Sequence, residues 1–336
     1  MHQSAVKSSP VSRRERVQEI RRPAETYPEQ GCLFCGSELD RILSGLSDTR
    51  FGTPGSYEIR RCGHCGFEQT WPVPSPENLK KLYEAQYNFG GETGTVYTKL
   101  REWFLMSVLY RAWIRLDGDI SFHSRSGSGR LLDIGCNEGR GLRIYARNGF
   151  HVEGLELSDT AAGVARSTGF VVHSCTLNEL QPPAPYDVAI LSNVLEHSLR
   201  PREMLEDVNR ILADGGEVWI SCPNSESWLR RVFGRRWINW HVPFHISHFS
   251  AETLGRLLIE TGFQSVEIRQ ITPAVWVAQS CIALLFAKKG RKTGQLRNAL
   301  LTVLLMVFAR FVFFPALWLG NRTGQGDCQV IVARKV

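Results

Sequence analysis

The sequence predicts an α/β fold with a mostly parallel sheet, preceded by a small N-terminal metal-binding module. Three observations support this prediction. From Arg130 onward, short β-branched runs alternate with helical stretches, and a loop with two glycines, Asp133–Gly139, follows the first run. Two Cys-x-x-Cys pairs lie near the N-terminus. Such alternation builds right-handed βαβ units, and ligands of these sheets bind at the carboxyl ends of the strands.

Composition and charge are those of a globular protein with more than one domain. The 336 residues are 43% hydrophobic and 22% charged, with a net charge of +7. This excess permits an anionic partner but does not require one. Residues 1–28 are polar and predict a disordered tail. Because no apolar run follows the early basic residues, we expect no secretory signal and a cytoplasmic, reducing setting.

The predicted sheet domain, residues 128–272, contains most of the regular elements. They are the strands Arg130–Ile134, His151–Leu157, Phe170–Ser174, Asp187–Leu191, Glu217–Cys222 and Ser265–Ile271, and the helices Arg140–Asn148, Asp159–Ser167, Pro201–Leu212 and Ala251–Thr261. A last strand, Asp327–Arg334 within residues 326–336, should pair beside Ser265–Ile271. Residues 73–127 are predicted to be a helical linker.

The paired cysteines, Cys32 with Cys35 and Cys62 with Cys65, are separated by 26 residues, and a glycine follows each pair. Four thiolates at this spacing match a closed, tetrahedral structural zinc site. We therefore predict a zinc ribbon over residues 29–72 whose folding depends largely on the metal. Unrelated buried or redox cysteines are the alternative.

The glycine loop and one acidic residue point to an adenosine cofactor. Glycine lets the backbone of Asp133–Gly139 approach a ligand closely, although nucleotide-binding sheets of several classes share such a loop. Glu156 ends the second strand, 23 residues after Asp133, where a carboxylate can accept hydrogen bonds from both ribose hydroxyls. The loop lacks the full GxGxxG pattern, which argues against a dehydrogenase.

Residues 130–270 resemble the class I S-adenosylmethionine (SAM)-dependent methyltransferases. The matching segments are Leu131–Gly139, Gly154–Ser158, Tyr186–His197, Arg210–Gly216 and Ile220–Asn224. The resemblance implies a Rossmann-like, seven-stranded sheet and SAM as the cofactor. Asn137 stands where most members have glycine, and asparagine tolerates left-handed backbone angles.

The resemblance also assigns nine residues to SAM. They are Asp133, Gly135, Asn137, Gly139, Glu156, Leu157, Thr176, Leu177 and Asn193. Glu156 would hold the ribose, and Asn193 would flank the methyl-donor centre. Thr176 and Leu177 would lie near the adenine, with simple loop packing as the alternative.

Histidines are the candidate bases for removing a proton from the methyl acceptor. His197 belongs to the family's Leu-Glu-His motif, where orienting the active-site wall is the alternative role. The segment His241–His248 resembles the His-Glu-His-x-x-Tyr-Phe-Ser segment of zinc-ribbon sugar C-methyltransferases, and His245 falls on its second histidine, with Phe244 in place of the glutamate. We predict His245 and His197 as catalytic. Metal ligation by the three histidines of this segment is a weaker alternative, because we expect no paired carboxylate.

The predicted acceptor is a sugar, a nucleotide-sugar, a lipid-linked glycan or another small molecule, methylated on oxygen or carbon. RNA is a second hypothesis, because zinc ribbons often contact nucleic acid and Arg230–Trp237 interleaves basic and aromatic residues. RNA cytosine-C5 methyltransferases use a cysteine nucleophile together with a Pro-Cys pair after the fourth strand. Cys222 ends the fifth strand here, but the Pro-Cys pair is missing, which argues against RNA. A SAM-binding or zinc-scaffold protein without catalysis is the third hypothesis.

The insert at residues 273–325 is apolar. Its run Ala299–Gly320 has the length of a membrane span. Arg310 would cost about 2.5–3.5 kcal/mol inside a bilayer, and a single crossing would separate two strands that should pair. Two interpretations remain open, a helical cap over the active site and docking of residues 273–320 on the inner face of a membrane.

Overall fold

The computed structural model describes residues 31–86 and 102–336. The predicted tail at 1–28 lies outside this range, as does part of the helical linker predicted over residues 73–127. The described residues form two sheets, one of four strands and one of seven.

The smaller sheet contains the cysteine pairs. Its first three strands are β1 (Leu39–Leu46), β2 (Tyr57–Cys62) and β3 (Glu68–Trp71), followed by the helices α1 (Pro76–Gln86) and α2 (Val108–Asp117). The fourth strand, β9 (Ser247–His248), comes from the predicted histidine segment, and it pairs antiparallel with β3. The ribbon and the larger domain therefore share one sheet.

The larger sheet confirms the predicted α/β fold. In chain order its elements are β4 (Arg130–Ile134), α3 (Arg140–Arg147), β5 (His151–Leu155), α4 (Asp159–Arg166), β6 (Val171–His173), β7 (Tyr186–Ser192), α5 (Pro201–Ile211), β8 (Leu212–Pro223), α6 (Trp228–Phe233), α7 (Ala251–Glu260), β10 (Phe263–Ile271) and β11 (Cys328–Lys335). The strand order is β10-β11-β8-β7-β4-β5-β6, and β11 runs antiparallel to both of its neighbours. The predicted pairing of the last strand beside Ser265–Ile271 is confirmed.

Local sequence signals explain where the helices begin. Ser158 accepts a hydrogen bond from the Ala161 amide at the start of α4, and Pro201 occupies the first turn of α5. Ser250 and Thr253 form a reciprocal cap at the start of α7, directly after β9. These caps fix the points at which the loops carrying the candidate site residues end.

The core is continuous between the ribbon and the larger domain. Cys32, Cys62 and Phe67 pack in the same buried cluster as Leu132 and Ile220 of the large sheet. We expected a module with little core of its own; the structure shows that its buried face is completed by the neighbouring domain.

The apolar insert contains three helices, α8 (Ala274–Phe286), α9 (Ala299–Val312) and α10 (Phe314–Arg322). It leaves the sheet after Ile271 and returns at Cys328, and these two residues are partners across β10 and β11. Much of α8 is buried. Within residues 31–86 and 102–336, no single helix is long and apolar enough to cross a membrane; α9 and α10 together pass that test of length and composition but are bent by 73°.

Candidate active site

The loop after β4 has the backbone geometry that the sequence predicts. Gly135, Asn137 and Gly139 all have left-handed φ angles, of 72°, 50° and 75°. The Asn137 side chain donates to the Gly135 carbonyl at 3.0 Å, which stabilises the turn. A Cβ on Gly135 would lie 2.9 Å from Val194, and one on Gly139 would lie 2.8 Å from Ala165. Both glycines are therefore required by packing as well as by conformation.

The Glu156 carboxylate is buried against this loop. One oxygen accepts from the Asn137 amide at 3.0 Å and the other from the Ser158 amide at 2.8 Å. Each oxygen keeps a further accepting position, which is what two ribose hydroxyls require. The neighbouring Asp133 is also buried, and its pKa is raised to about 7, first by burial and then by the charge of Glu156.

The remaining cofactor candidates surround the same edge of the sheet. Leu157 is 69% exposed directly after Glu156, so it offers an apolar surface to a flat ring. Thr176 caps a short turn with Glu179, and Leu177 is buried. Asn193 has a left-handed φ of 55°, and its buried Oδ1 has no hydrogen-bond partner among the described residues. A buried acceptor of this kind, next to a tight glycine loop, fits a bound polar ligand.

The two predicted catalytic histidines lie together. The rings of His197 and His245 are 4.6 Å apart, edge to face. The His245 Nδ1 bonds the Asn239 carbonyl at 2.8 Å, so it carries the proton and leaves Nε2 as an acceptor. The His197 Nδ1 contacts the Tyr83 hydroxyl at 2.7 Å and the Phe244 carbonyl at 3.0 Å. Both rings are thus held in fixed orientations by groups that the sequence did not identify.

Burial keeps both imidazoles neutral. It lowers the pKa of His197 to about 4, although the bond to Phe244 acts in the other direction. The pKa of His245 is lowered well below its usual value, by burial and by the neighbouring His197 and Arg50. Neutral imidazoles offer lone pairs for a proton or a metal ion.

Glu196 is a functional candidate that the sequence analysis missed. It is 1% exposed, and neither carboxylate oxygen has a hydrogen-bond partner among the described residues. Ligand atoms of Glu196, His197 and His245 all lie within 4.8 Å of one another. Burial raises the pKa of Glu196 to about 8. The expectation that no carboxylate accompanies the histidines is therefore wrong, because the turn after β7 buries the Glu196 carboxylate beside His197 and His245.

The third histidine of the predicted metal alternative has a different role. The His248 Nε2 bonds the Thr70 hydroxyl at 2.9 Å, and that hydroxyl donates to the His245 carbonyl at 2.7 Å. The Thr70 amide also donates to the Ile246 carbonyl at 2.9 Å. Strand β3 of the ribbon therefore holds the histidine segment in place.

The histidine cluster adjoins the glycine loop. Val194, which limits the space at Gly135, is two residues before Glu196 and three before His197. The turn that carries Glu196 and His197 therefore also borders the glycine loop.

The four predicted zinc ligands also converge. Cys32 and Cys65 have their sulfurs 3.5 Å apart, as do Cys35 and Cys62. All four sulfurs lie within 4.8 Å of one another. In each pair the glycine after the second cysteine donates its amide to the carbonyl of the first, and its φ is near 75°. This donor set and turn geometry fit a tetrahedral thiolate site.

The basic patch at Arg230–Trp237 is partly used within the fold. Arg230 pairs with the buried Glu68 at 2.8 Å and lies over the Trp240 ring. Arg230 and Arg231 line a cavity of about 700 Å³ together with Arg61. Because none of the glycine-loop residues line it, this cavity is distinct from the cofactor site.

Comparison with known proteins identifies the domain. Residues 110–268 match the family model described as a methyltransferase domain. The ubiquinone biosynthesis O-methyltransferase of Aeromonas salmonicida is 32% identical over 124 residues, 34% of this chain and 52% of that protein. The protein of the same name from Burkholderia pseudomallei is 28% identical over 166 residues, 45% of this chain and 72% of that protein. The chain thus spans about half the length of the curated relative from Aeromonas.

Solved structures with similar folds include an S-adenosylmethionine-dependent methyltransferase from Mesorhizobium loti, with a TM-score of 0.42 and 18% identity, covering 66% of this chain and 100% of that one. A cyclopropane synthase from Mycobacterium tuberculosis has a TM-score of 0.45 and 15% identity, covering 68% of this chain and 86% of that one. The family match supports SAM as the methyl donor of this domain.

The carboxylate of Glu156 should dominate SAM binding. We expect Glu156→Gln to weaken SAM about 10- to 100-fold, because hydrogen bonds to a charged group contribute about 1.5–3 kcal/mol. Isothermal titration calorimetry measures the change. Asp159→Asn, which neutralises an exposed carboxylate on α4, is the control and should bind SAM normally. Unchanged affinity in Glu156→Gln would remove this residue from the cofactor site.

Proposed function

We propose that this chain, whose residues 110–268 match a methyltransferase domain, uses SAM to methylate a hydroxyl group of a sugar or lipid-linked glycan acceptor. The observation that carries the proposal is the cluster of Glu196, His197 and His245 beside the glycine loop. Methyl transfer to a hydroxyl needs a group that takes up a proton, and this cluster supplies lone pairs for it. The names of the relatives, which are O-methyltransferases, favour oxygen over carbon.

In this proposal His245 is the base. When bound near Glu156 and Asn193, SAM would supply an activated methyl group to the acceptor oxygen. The acceptor proton passes to the Nε2 of His245, the ring atom left open by the bond to Asn239. Glu196 and His197 are positioned to share that proton, because burial penalises an isolated imidazolium. The three groups then act as one coupled titrating unit.

Two other classes of acceptor, small molecules and RNA, can be distinguished from a glycan by experiment. A small-molecule hydroxyl would suit the same base, and the relatives' names, ubiquinone biosynthesis O-methyltransferases, favour an acceptor of that class. RNA remains the alternative suggested by the ribbon, although the ribbon strand β3 is engaged with β9 and Arg230 with Glu68. The location of transferred label separates these classes.

The second part of the proposal is structural zinc in the ribbon. The convergence of Cys32, Cys35, Cys62 and Cys65 supports it, because four sulfurs at such distances fit one tetrahedral ion without an open position. Zinc would join the loop before β1 to the turn between β2 and β3 and thereby support β3, which contacts the histidine segment. Its role would be indirect, since no ribbon cysteine belongs to the histidine cluster.

Label transfer tests the acceptor and the base together. Incubation with methyl-labelled SAM and separated cell fractions should label the glycan or lipid-linked glycan fraction. Label in RNA, or in no fraction, would contradict the proposal.

In His245→Asn we expect transfer to fall about 100-fold or more, while SAM affinity stays within about twofold. His64→Asn, an exposed histidine in the ribbon, is the control. Full transfer by His245→Asn would exclude it as the base.

Metal content tests the ribbon. Purified protein should contain one zinc ion per chain by mass spectrometry, and Cys62→Ser should lose it and unfold at a lower temperature, because metal binding contributes to folding. Cys175→Ser removes a half-buried thiol outside the cluster and should retain the metal. A wild-type protein that contains no metal, and that unfolds at the same temperature as Cys62→Ser, would disprove the zinc site.

A further inference from the structure

The insert helix α9 exposes its apolar face to solvent and buries its charged residue. On α9 the large side chains Leu300, Leu304, Phe308 and Phe311 are 54–71% exposed, at a spacing that places them on one face. The opposite face includes Ala309 and Arg310, which are buried. An ordinary surface helix turns its apolar stripe inward and its charges to solvent, so this helix has the reverse arrangement.

The single charge of α9 is held inside by a specific partner. Arg310 and Asp117 of α2 have side chains only 7% exposed, and their Nε and Oδ1 atoms are 3.7 Å apart. Asp117 also accepts from the Ala274 amide at the start of α8. The ion pair fixes the rotation of α9 and keeps its exposed face free of charge. We define this exposed apolar face of α9, continued by Trp318 and Leu319 of α10, as the docking face.

The charges around the docking face have one sign. Residues 273–322 contain seven Lys or Arg and no Asp or Glu. Four of them, Lys288, Lys289, Arg291 and Lys292, are exposed in one loop between α8 and α9. An apolar face bordered by basic residues is typical of helices that lie in the interface of an anionic membrane. Trp318, half exposed, suits the headgroup level.

We propose that the docking face and the loop 288–292 bind the anionic surface of a phospholipid bilayer, with α9 and α10 in the plane of the interface. The paired ends of the insert, Ile271 and Cys328, are consistent with this in-plane position, because a single crossing would part them. A second copy of the chain is a poorer occupant, because a symmetric contact through this face would bring the two basic loops together.

The docking face is connected to the histidine cluster. Arg50 donates to Gln279 of α8 at 3.4 Å, and its carbonyl accepts from Thr293 beside the basic loop. The next residue, Phe51, packs against His241 at 5.7 Å and Phe244 at 5.4 Å. If the proposed function holds, docking would bring the histidine cluster to the membrane that carries a lipid-linked acceptor. This consequence rests on the proposed function; the docking itself does not.

Vesicle flotation without SAM or acceptor tests the docking alone. The full chain should float with phosphatidylcholine vesicles that contain phosphatidylglycerol, and added salt should weaken the binding. The variant Lys288→Gln/Lys289→Gln/Arg291→Gln/Lys292→Gln should bind on the order of 600-fold more weakly, because each of the four basic residues near an anionic surface contributes about fivefold.

A second variant removes the apolar contribution. Leu304→Gln/Phe311→Gln should also lose flotation, whereas Ile259→Gln on α7, 70% exposed and outside the docking face, should not. Wild-type protein that stays unbound, or flotation unaffected by both multiple variants, would overturn the proposal. A dimer in light scattering that Leu304→Gln/Phe311→Gln converts to monomer, without vesicle binding, would assign the face to a second copy instead.

Discussion

Strand β3 of the ribbon pairs with the two residues of β9, and the orientation of the histidine segment depends on this contact. Thr70 bonds the Ile246 carbonyl through its amide, and through its hydroxyl it bridges the His245 carbonyl and the His248 ring. On the other side, the Ile246 amide donates to the Glu196 carbonyl. The segment is therefore held between the ribbon and the turn after β7, and the cluster of His245, His197 and Glu196 forms where the two meet.

These contacts make the ribbon a structural part of the larger domain. As a separate module, a ribbon suggests a binding appendage; here its cysteines share the core of the larger domain. Its strand forms a wall of the candidate active site. A change at the cysteines would thus reach the histidine cluster through β2 and β3. The buried ion pair of Asp117 and Arg310 plays a comparable part at the insert, whose helix α9 it orients.

Local patterns made most of the larger domain predictable. The boundaries of β4 matched the prediction, and other core helices and strands differed by a few residues, because alternation and capping residues such as Ser250 and Pro201 are encoded locally. The main difference was β8, which begins at Leu212 rather than Glu217. Non-local contacts were not predictable. β9 has two residues and no alternation that would mark it as a strand, and the contacts of His197 with Tyr83 and of Arg310 with Asp117 join residues more than 100 positions apart.

Hydrogen exchange in two variants of Thr70 tests the dependence on β3 most directly. Thr70→Val removes the bridging hydroxyl, while Thr70→Ser keeps it. Losing a buried hydrogen-bond partner costs about 1–3 kcal/mol, so we expect faster exchange over residues 241–249 in Thr70→Val alone. The glycine loop at 131–139 should exchange as in the wild type. Equal protection of residues 241–249 in both variants would contradict the claim that the ribbon holds the histidine segment.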